Sequence, residues 1–267
     1  MNQEQFLNTW ERKHSRYEKD AYRIFSRAFR QSARNIPWDF LNENNYEVFI
    51  TGAITTDDIT NAYAEVYSKI GIEHGTFTGK SINSQIKIFT ESAFLNEFQR
   101  TIIQWLFNNA GTRITSVTKT YAKWIISEIA KGLENNISLP DIVNQMLEKI
   151  GNPRSRWYRN NLLRIARTET TAAANHGATV ATQISGVVTD KIWISARDER
   201  TRRPPKSRFN HFAMNGTKVP QNEKFNVNGD LIDFPGDPKG QAGNIINCRC
   251  ASAVVPRRDS DGNIIFN

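Results

Sequence analysis

Apolar positions recur at helical spacing through the first ~185 residues. Phe6, Trp10, Tyr17, Ala21, Ile24 and Ala28 follow one another at intervals of 3, 4 or 7, which draws one stripe on a helix over about residues 3–33. Pro37 stops it, because proline lacks an N–H and restricts the residue before it. Thr56-Asp57-Asp58 reads as a helix start, and Ile59, Tyr63, Val66 and Ile70 line one face up to Gly71. The Gly- and Thr-rich stretch Gly71–Lys80 reads as a loop. Two longer helices follow, at about 91–109 and 113–134, split at Gly111. Phe94, Phe98, Ile102, Trp105 and Leu106 stripe the first; Val117, Tyr121, Trp124, Ile125 and Ile129 stripe the second. Ser138-Leu-Pro140-Asp141 starts another helix, which Gly151-Asn-Pro153 stops. A last one runs from about Arg154 to Ile184.

After Gly186 the period changes. Lys191–Ala196 alternates apolar and polar positions, as a half-buried strand does. Pro204-Pro205, Asn215-Gly216, Asn228-Gly229, Pro235-Gly236 and Asp237-Pro238 then punctuate the chain, so short strands joined by tight turns are expected. Cys248–Val255 reads as a closing strand, and 257–267 as a polar, mobile tail. The fold class is therefore α+β: a large, mostly helical N-terminal body with a small β-rich C-terminal module. The expected divisions are 1–137, 138–185, 186–256 and 257–267.

Composition narrows the class. With 15 Phe, 7 Tyr and 6 Trp in 267 residues, the chain has enough large apolar groups to build a core. No apolar run is long enough to span a bilayer as a helix, and the N-terminus lacks the pattern of a secretory signal, so no membrane partner is expected. Two cysteines do not make a disulfide scaffold, which points to a reducing compartment. The net charge of +8 is concentrated: residues 154–208 hold twelve Lys/Arg against four acids, and the remainder is neutral as a group. Such a field suits a polyanion or an acidic protein surface, but a solvated basic face has the same composition. Arg200, Arg202, Arg203 and Lys206 are the candidate partner-binding residues.

Cys248 and Cys250 lie two apart, so on a strand both thiols point to one face. With His211 they offer three ligands for zinc, and Asp198 is a candidate fourth. The alternative is a pair of buried cysteines serving as small hydrophobes beside a hydrogen-bonded histidine. Asp198 also reads as the anchor of a turn through Arg200-Thr201. Arg167 and Glu169 face different sides of their helix, and both are expected to find partners on the β module. His14, His74 and His176 show no ligand pattern.

Five short segments occur in a fixed order. They are Arg164-Ile-Ala-Arg167-Thr168-Glu169-Thr170 running to Asn175; Trp193 with Asp198-Glu-Arg200-Thr201-Arg202; His211 with Asn215-Gly216 and Val219; Pro235-Gly236-Asp237-Pro238; and Asn247-Cys248-Arg249-Cys250. This series resembles the phage Mu F-like minor head proteins, also called phage head morphogenesis proteins. The resemblance covers about residues 138–256, with Arg167, Thr168, Glu169, Asp198, His211, Asn247, Cys248 and Cys250 as the motif positions. Relative to the usual pattern, Arg203–Asn210 is an insertion before His211. The resemblance implies a minor structural and assembly protein of a tailed-phage head. Such a protein is made in the bacterial host cytoplasm and taken into the procapsid in low copy number. Portal, scaffold or capsid proteins are its implied partners, with viral DNA as a further one. The rival reading is a nuclease-like enzyme built on His211, Asp198, Glu169 and the arginines. Against it, the chain has no paired metal-binding carboxylates and no Gly-rich phosphate loop, so no enzymatic activity is expected. A free DNA-binding regulator is weaker still, since no helix-turn-helix stands out.

Overall fold

A computed structural model describes residues 2–83 and 91–267, leaving the side chains of 83 and 91–95 aside. The helical body comprises α1 (Gln3–Arg34), α2 (Tyr46–Ala53), α3 (Asp57–Val66), α4 (Ile72–Asn83), α5 (Glu91–Asn109), α6 (Gly111–Glu134), α7 (Leu139–Lys149) and α8 (Arg156–Ile184). The module adds β1 (Thr189–Ile194), β2 (Lys218–Pro220), β3 (Phe225–Val227), β4 (Asp230–Ile232), the short α9 (Ala242–Ile245) and β5 (Ala251–Pro256). No described helix is long and apolar enough to cross a membrane. The α+β reading holds, as do the helices over α1, α5, α6, α7 and α8. Phe94, one residue of the expected α5 stripe, has its side chain outside the described residues.

The axis of the body is α8. From Thr168 to Ala178 every residue is buried, although the run TETTAAANHGA contains no large apolar side chain. A helix buried on all sides is normally hydrophobic all round. Here small side chains let α1, α4 and the module approach the backbone closely, so the hydroxyls of Thr168 and Thr171 and the amide of Asn175 are met by partners.

The same logic overturns the loop expected over Gly71–Lys80. Helix α3 does not close at Gly71 but passes through a π-helical turn, Tyr67–Gly71, into α4. The glycines there serve packing. A Cβ on Gly177 would lie 2.1 Å from the Gly71 carbonyl oxygen, and one on Gly75 would lie 2.7 Å from the Gly177 carbonyl. Backbone meets backbone, and neither side can rotate away. Gly177→Ala is therefore expected to cost about 3 kcal/mol, the top of the usual overpacking range. Chemical denaturation checks this; a change below 1 kcal/mol would mean the helices part easily.

The central sheet has the order β2-β1-β5, all antiparallel, with Trp193 opposite Ser252 and Asp190 opposite Pro220. Strand β1 is not half-buried as its alternation suggested. It is covered on both faces, and alternate residues enter different cores. Ile192 and Ile194 pack on the body, whereas Trp193 joins Phe209, Phe225, Val227, Ile232, Cys248 and Cys250 in the module's own cluster. Asn228-Gly229 turns β3 into β4, both residues at positive φ (52° and 87°) as a two-residue hairpin requires. The tail expected to be mobile folds back instead: Val188 N–H donates to Ile265 O at 2.9 Å and Asn267 N–H to Gly186 O at 2.9 Å. Polar composition hid a backbone ladder that needs no apolar side chain.

Candidate metal centre

The segment 247–250 is not yet a strand. Asn247 takes a positive φ of 60°, which asparagine tolerates, and regular pairing begins only at Ala251. Both thiols nevertheless point the same way. His211 Nδ1 lies 3.7 Å from Cys248 Sγ and 3.5 Å from Cys250 Sγ. The three ligand atoms lie within 4.8 Å of one another, and all three residues are buried, at 2%, 1% and 2% exposure. This group can hold a metal ion. Tetrahedral bonds of roughly 2.3 Å to sulfur and 2.0 Å to nitrogen separate ligand atoms by about 3.6 Å, close to the spacing found.

The tautomer follows from the bonds behind the ring. Asn244 Nδ2 donates to Asp230 Oδ2 at 2.7 Å, which turns Asn244 Oδ1 toward His211 Nε2 at 2.6 Å. An amide oxygen only accepts, so Nε2 carries the proton and Nδ1 presents its lone pair to the thiols. A histidine oriented through its far nitrogen is the usual support of a metal ligand. The edge of Trp193 packs against the His211 ring at 5.2 Å, which shuts the site off from water. The Cys248 thiol is pulled well below its ordinary value by the hydrogen bond from Cys250 and by His211. Burial pushes the Cys250 thiol well up.

Asp198 is not part of the cluster. Its carboxylate takes Arg249 Nη2 at 2.6 Å and anchors a turn, with Arg200 N–H and Thr201 Oγ1 each donating to Oδ1 at 3.1 Å. The turn reading of Asp198 is right and the fourth-ligand reading is corrected: its carboxylate is held by a guanidinium and a turn and lies outside the cluster of ligand atoms. Among the described residues the candidate set is three.

The body holds this centre from outside by gripping three successive carbonyls. Thr171 Oγ1 donates to Cys248 O at 2.5 Å, Trp10 Nε1 to Arg249 O at 2.8 Å, and Asn175 Nδ2 to Cys250 O at 3.1 Å. Asn175 Nδ2 also reaches Pro235 O at 2.9 Å, and its Oδ1 accepts from Ser252 N–H at 2.8 Å. Since Thr171 spends its proton on Cys248, His14 Nε2 must donate to Thr171 Oγ1, 2.9 Å away. Gly236 lies flat on α8, where a Cβ would come 3.1 Å from Ala172 N.

Compared with protein-family models, curated proteins and solved structures, the chain matches none. Its site is read from its own geometry.

Most motif positions converge on this junction. Asn247 N–H donates to Thr168 Oγ1 at 2.9 Å, and Arg167 Nη1 reaches Asn247 Oδ1 at 3.4 Å. Arg167 also grips Glu18 of α1 with two bonds, at 2.7 and 2.9 Å. Glu169 goes elsewhere. The expectation that both charges pair on the module is corrected: Glu169 turns into the body, where Tyr63 and Tyr67 hydroxyls donate at 3.1 and 3.3 Å and Arg113 Nε at 3.1 Å. Two residues along a helix is about 200° of rotation, so only one of the pair can face the module. Trp10, Thr171, Asn244 and Asp230 were missed. Trp10 reads as core because its stripe position gives no hint that its indole N–H has a distant partner. Asn244 and Asp230 sit in turn-rich sequence where such residues are commonplace.

Of the four candidate partner-binding residues, Arg200, Arg203 and Lys206 are exposed. Arg202 is half-buried, and its guanidinium donates to the Ile246 carbonyl, tying the loop to α9. Arg203 and Arg197 both lie over the Phe212 ring, at 5.0 and 5.9 Å. Arg203, Lys206 and Arg208 have no carboxylate within ion-pair distance among the described residues. With Arg200 and Arg202 they line one concavity of about 670 Å³.

Proposed function

We propose that this chain is a minor structural and assembly protein of a tailed-phage head, taken into the procapsid in low copy number. The observation that carries the reading is the convergence of the ordered motif segments. Arg167, Thr168, Asn175, Pro235, Asn247 and the Cys-x-Cys pair meet at one junction, although up to 83 residues separate them in the chain. Residues that resemble a family motif and also form one spatial unit argue better than scattered matches. The basic loop would then face an acidic surface of portal or scaffold, or packaged DNA. The nuclease-like alternative draws no support from His211, whose two nitrogens are committed to Asn244 and the thiols and which lines none of the described cavities.

Purified particles of the encoding phage should contain a few copies per head by quantitative mass spectrometry. Replacing Arg200, Arg203 and Lys206 with Gln should leave the fold intact, because exposed charges contribute little to stability. The same change should lower incorporation. A protein absent from particles, or a triple variant incorporated as well as the wild type, counts against this reading.

We propose zinc as the ion of the candidate metal centre, in a structural role. Three of the module's five strands have only three residues, and small domains with so little sheet are commonly held by a metal. His211, Cys248 and Cys250 would hold the ion; its contribution is to cross-link α9's flank to the loop before β2. Elemental analysis should find about one equivalent per chain. Chelation at metal levels near 100 times Kd should remove about 2.7 kcal/mol, lowering Tm by roughly 5–10 °C. Metal-free protein with the same Tm would leave two buried thiols as core residues.

A further inference from the structure

A cavity of about 490 Å³ is lined by α6, α8 and α9, with single residues from α1 and α3. Its volume is in the range of small-ligand sites, roughly 300–1,000 Å³. Val117, Tyr121, Trp157, Ile165, Ile245 and Ile246 supply apolar walls. Its charged groups are mostly positive. Arg113 and Arg164 both line it, and the sole acid in the lining is Glu169. That carboxylate is already saturated by Tyr63, Tyr67 and Arg113, so it repels less than a bare one would. Arg113 Nη1 is buried and has no hydrogen-bond partner among the described residues. A buried guanidinium N–H left unbonded costs free energy until an acceptor arrives, and because this nitrogen has almost no accessible surface a small turn of the side chain is needed to present it to the cavity.

A second observation points the same way. Helix α6 lines the cavity through Thr112 and Arg113 in its first turn and Ser116 in its second. This helix begins after Ala110 with no capping side chain and no acid in its first turn. Its leading amides and positive dipole end therefore lack the usual acceptor beside an unpaired arginine nitrogen.

We infer that this cavity binds an apolar group carrying a carboxylate, with the carboxylate on Arg113 Nη1 and the first turn of α6, and the apolar part against Val117, Trp157 and Ile246. An aliphatic acid and the C-terminus of a partner peptide ending in a large apolar residue share this chemistry. Phosphodiesters do not, because the walls offer them no apolar match. Arg164, exposed at the mouth and bonded to Asn161, attracts the anion as it enters.

Calorimetric titration of the full-length protein tests this with two matched pairs of probes. One is dodecanoate against dodecanol; the other is a hexapeptide ending in Leu-Phe with a free carboxylate against its C-terminal amide. Each charged probe that binds should do so at least about tenfold more tightly than its neutral partner, as expected for a charge-assisted hydrogen bond. Binding by dodecanoate alone identifies a free acid as the ligand, and binding by the peptide alone identifies a chain terminus. Val117→Trp fills the cavity one helical turn beyond Arg113 and should abolish binding while circular dichroism and Tm stay near wild type. Should that variant misfold, Thr120→Phe at the rim serves the same purpose. Failure of both charged probes to bind, equal affinity for charged and neutral partners, or undiminished binding by a folded cavity-filled variant overturns the inference.

Discussion

Glu169→Ala is expected to lower stability by about 3–5 kcal/mol, the cost of removing one partner of a buried ion pair. The carboxylate is 3% exposed in its side chain and faces Arg113 at 16%. It collects donors from Tyr63, Tyr67 and Arg113, on three different elements. Burial, reinforced by the carboxylate, raises both phenols above their ordinary value, so they remain donors throughout the working pH range. Truncation strands two hydroxyls and leaves a guanidinium in the interior with no counter-charge. At roughly 2–4 °C per kcal/mol for a chain of this size, Tm should fall by about 10 °C. The double variant Glu169→Leu/Arg113→Met separates this cause from cavity formation. Removing both charges should recover much of the loss, since apolar replacement of a complete buried pair is often nearly neutral. A double variant no better than the single one would show that shape, and not the unpaired charge, sets the cost.

That pair also marks where sequence reasoning ran short. Aromatic stripes marked helices α1, α5 and α6 within a few residues, because burying one face of a helix requires apolar side chains at 3.6-residue spacing. Small-residue packing leaves no such trace. Gly71 and Gly75 look like loop punctuation in the chain, yet with Gly177 they are the contact surface of two helices. Likewise His211, Cys248 and Cys250 were legible as a ligand set, since their chemistry is in the residue type. Their supports were not. The roles of Asn244, Thr171, Asn175 and Trp10 depend on which backbone carbonyl or ring nitrogen the fold brings opposite, with 33 to 239 residues intervening. Sequence spacing specifies local geometry, and each of these is a long-range meeting.

The histidines that carried no motif should dominate the response to acid. His14, His74 and His176 are buried, and each is lowered from 6.5 to about 3. Burial is the main cause in all three. Arg167 and Arg249 add to it at His14, Lys13 at His74 and Lys239 at His176. The surroundings explain why no proton is welcome. Rings of Trp10, Tyr17 and Phe77 enclose His74, and His176 stacks on Trp105 at 3.7 Å. Neither of those two imidazoles has a hydrogen-bond partner among the described residues. Above pH 6.5 both folded and unfolded chains hold these groups neutral, and they have no effect. As pH falls through 6.5 the unfolded chain takes up three protons that the folded one refuses. Stability then drops by about 4 kcal/mol per pH unit until the folded groups titrate near pH 3. Two units into that window the loss is about 8 kcal/mol, comparable with the whole stability of an ordinary domain. The metal-free protein should therefore unfold between about pH 4 and 5. Denaturant melts at pH 7.5, 6, 5.5 and 5 measure the slope directly, with chelator present so that metal release does not add to it. Replacing His74 with Leu should remove about a third of the slope. Stability that stays level from pH 7 to pH 5 would mean that the three rings reach water in solution, and that the close packing of α1, α4 and α8 around them opens far more easily than their burial implies.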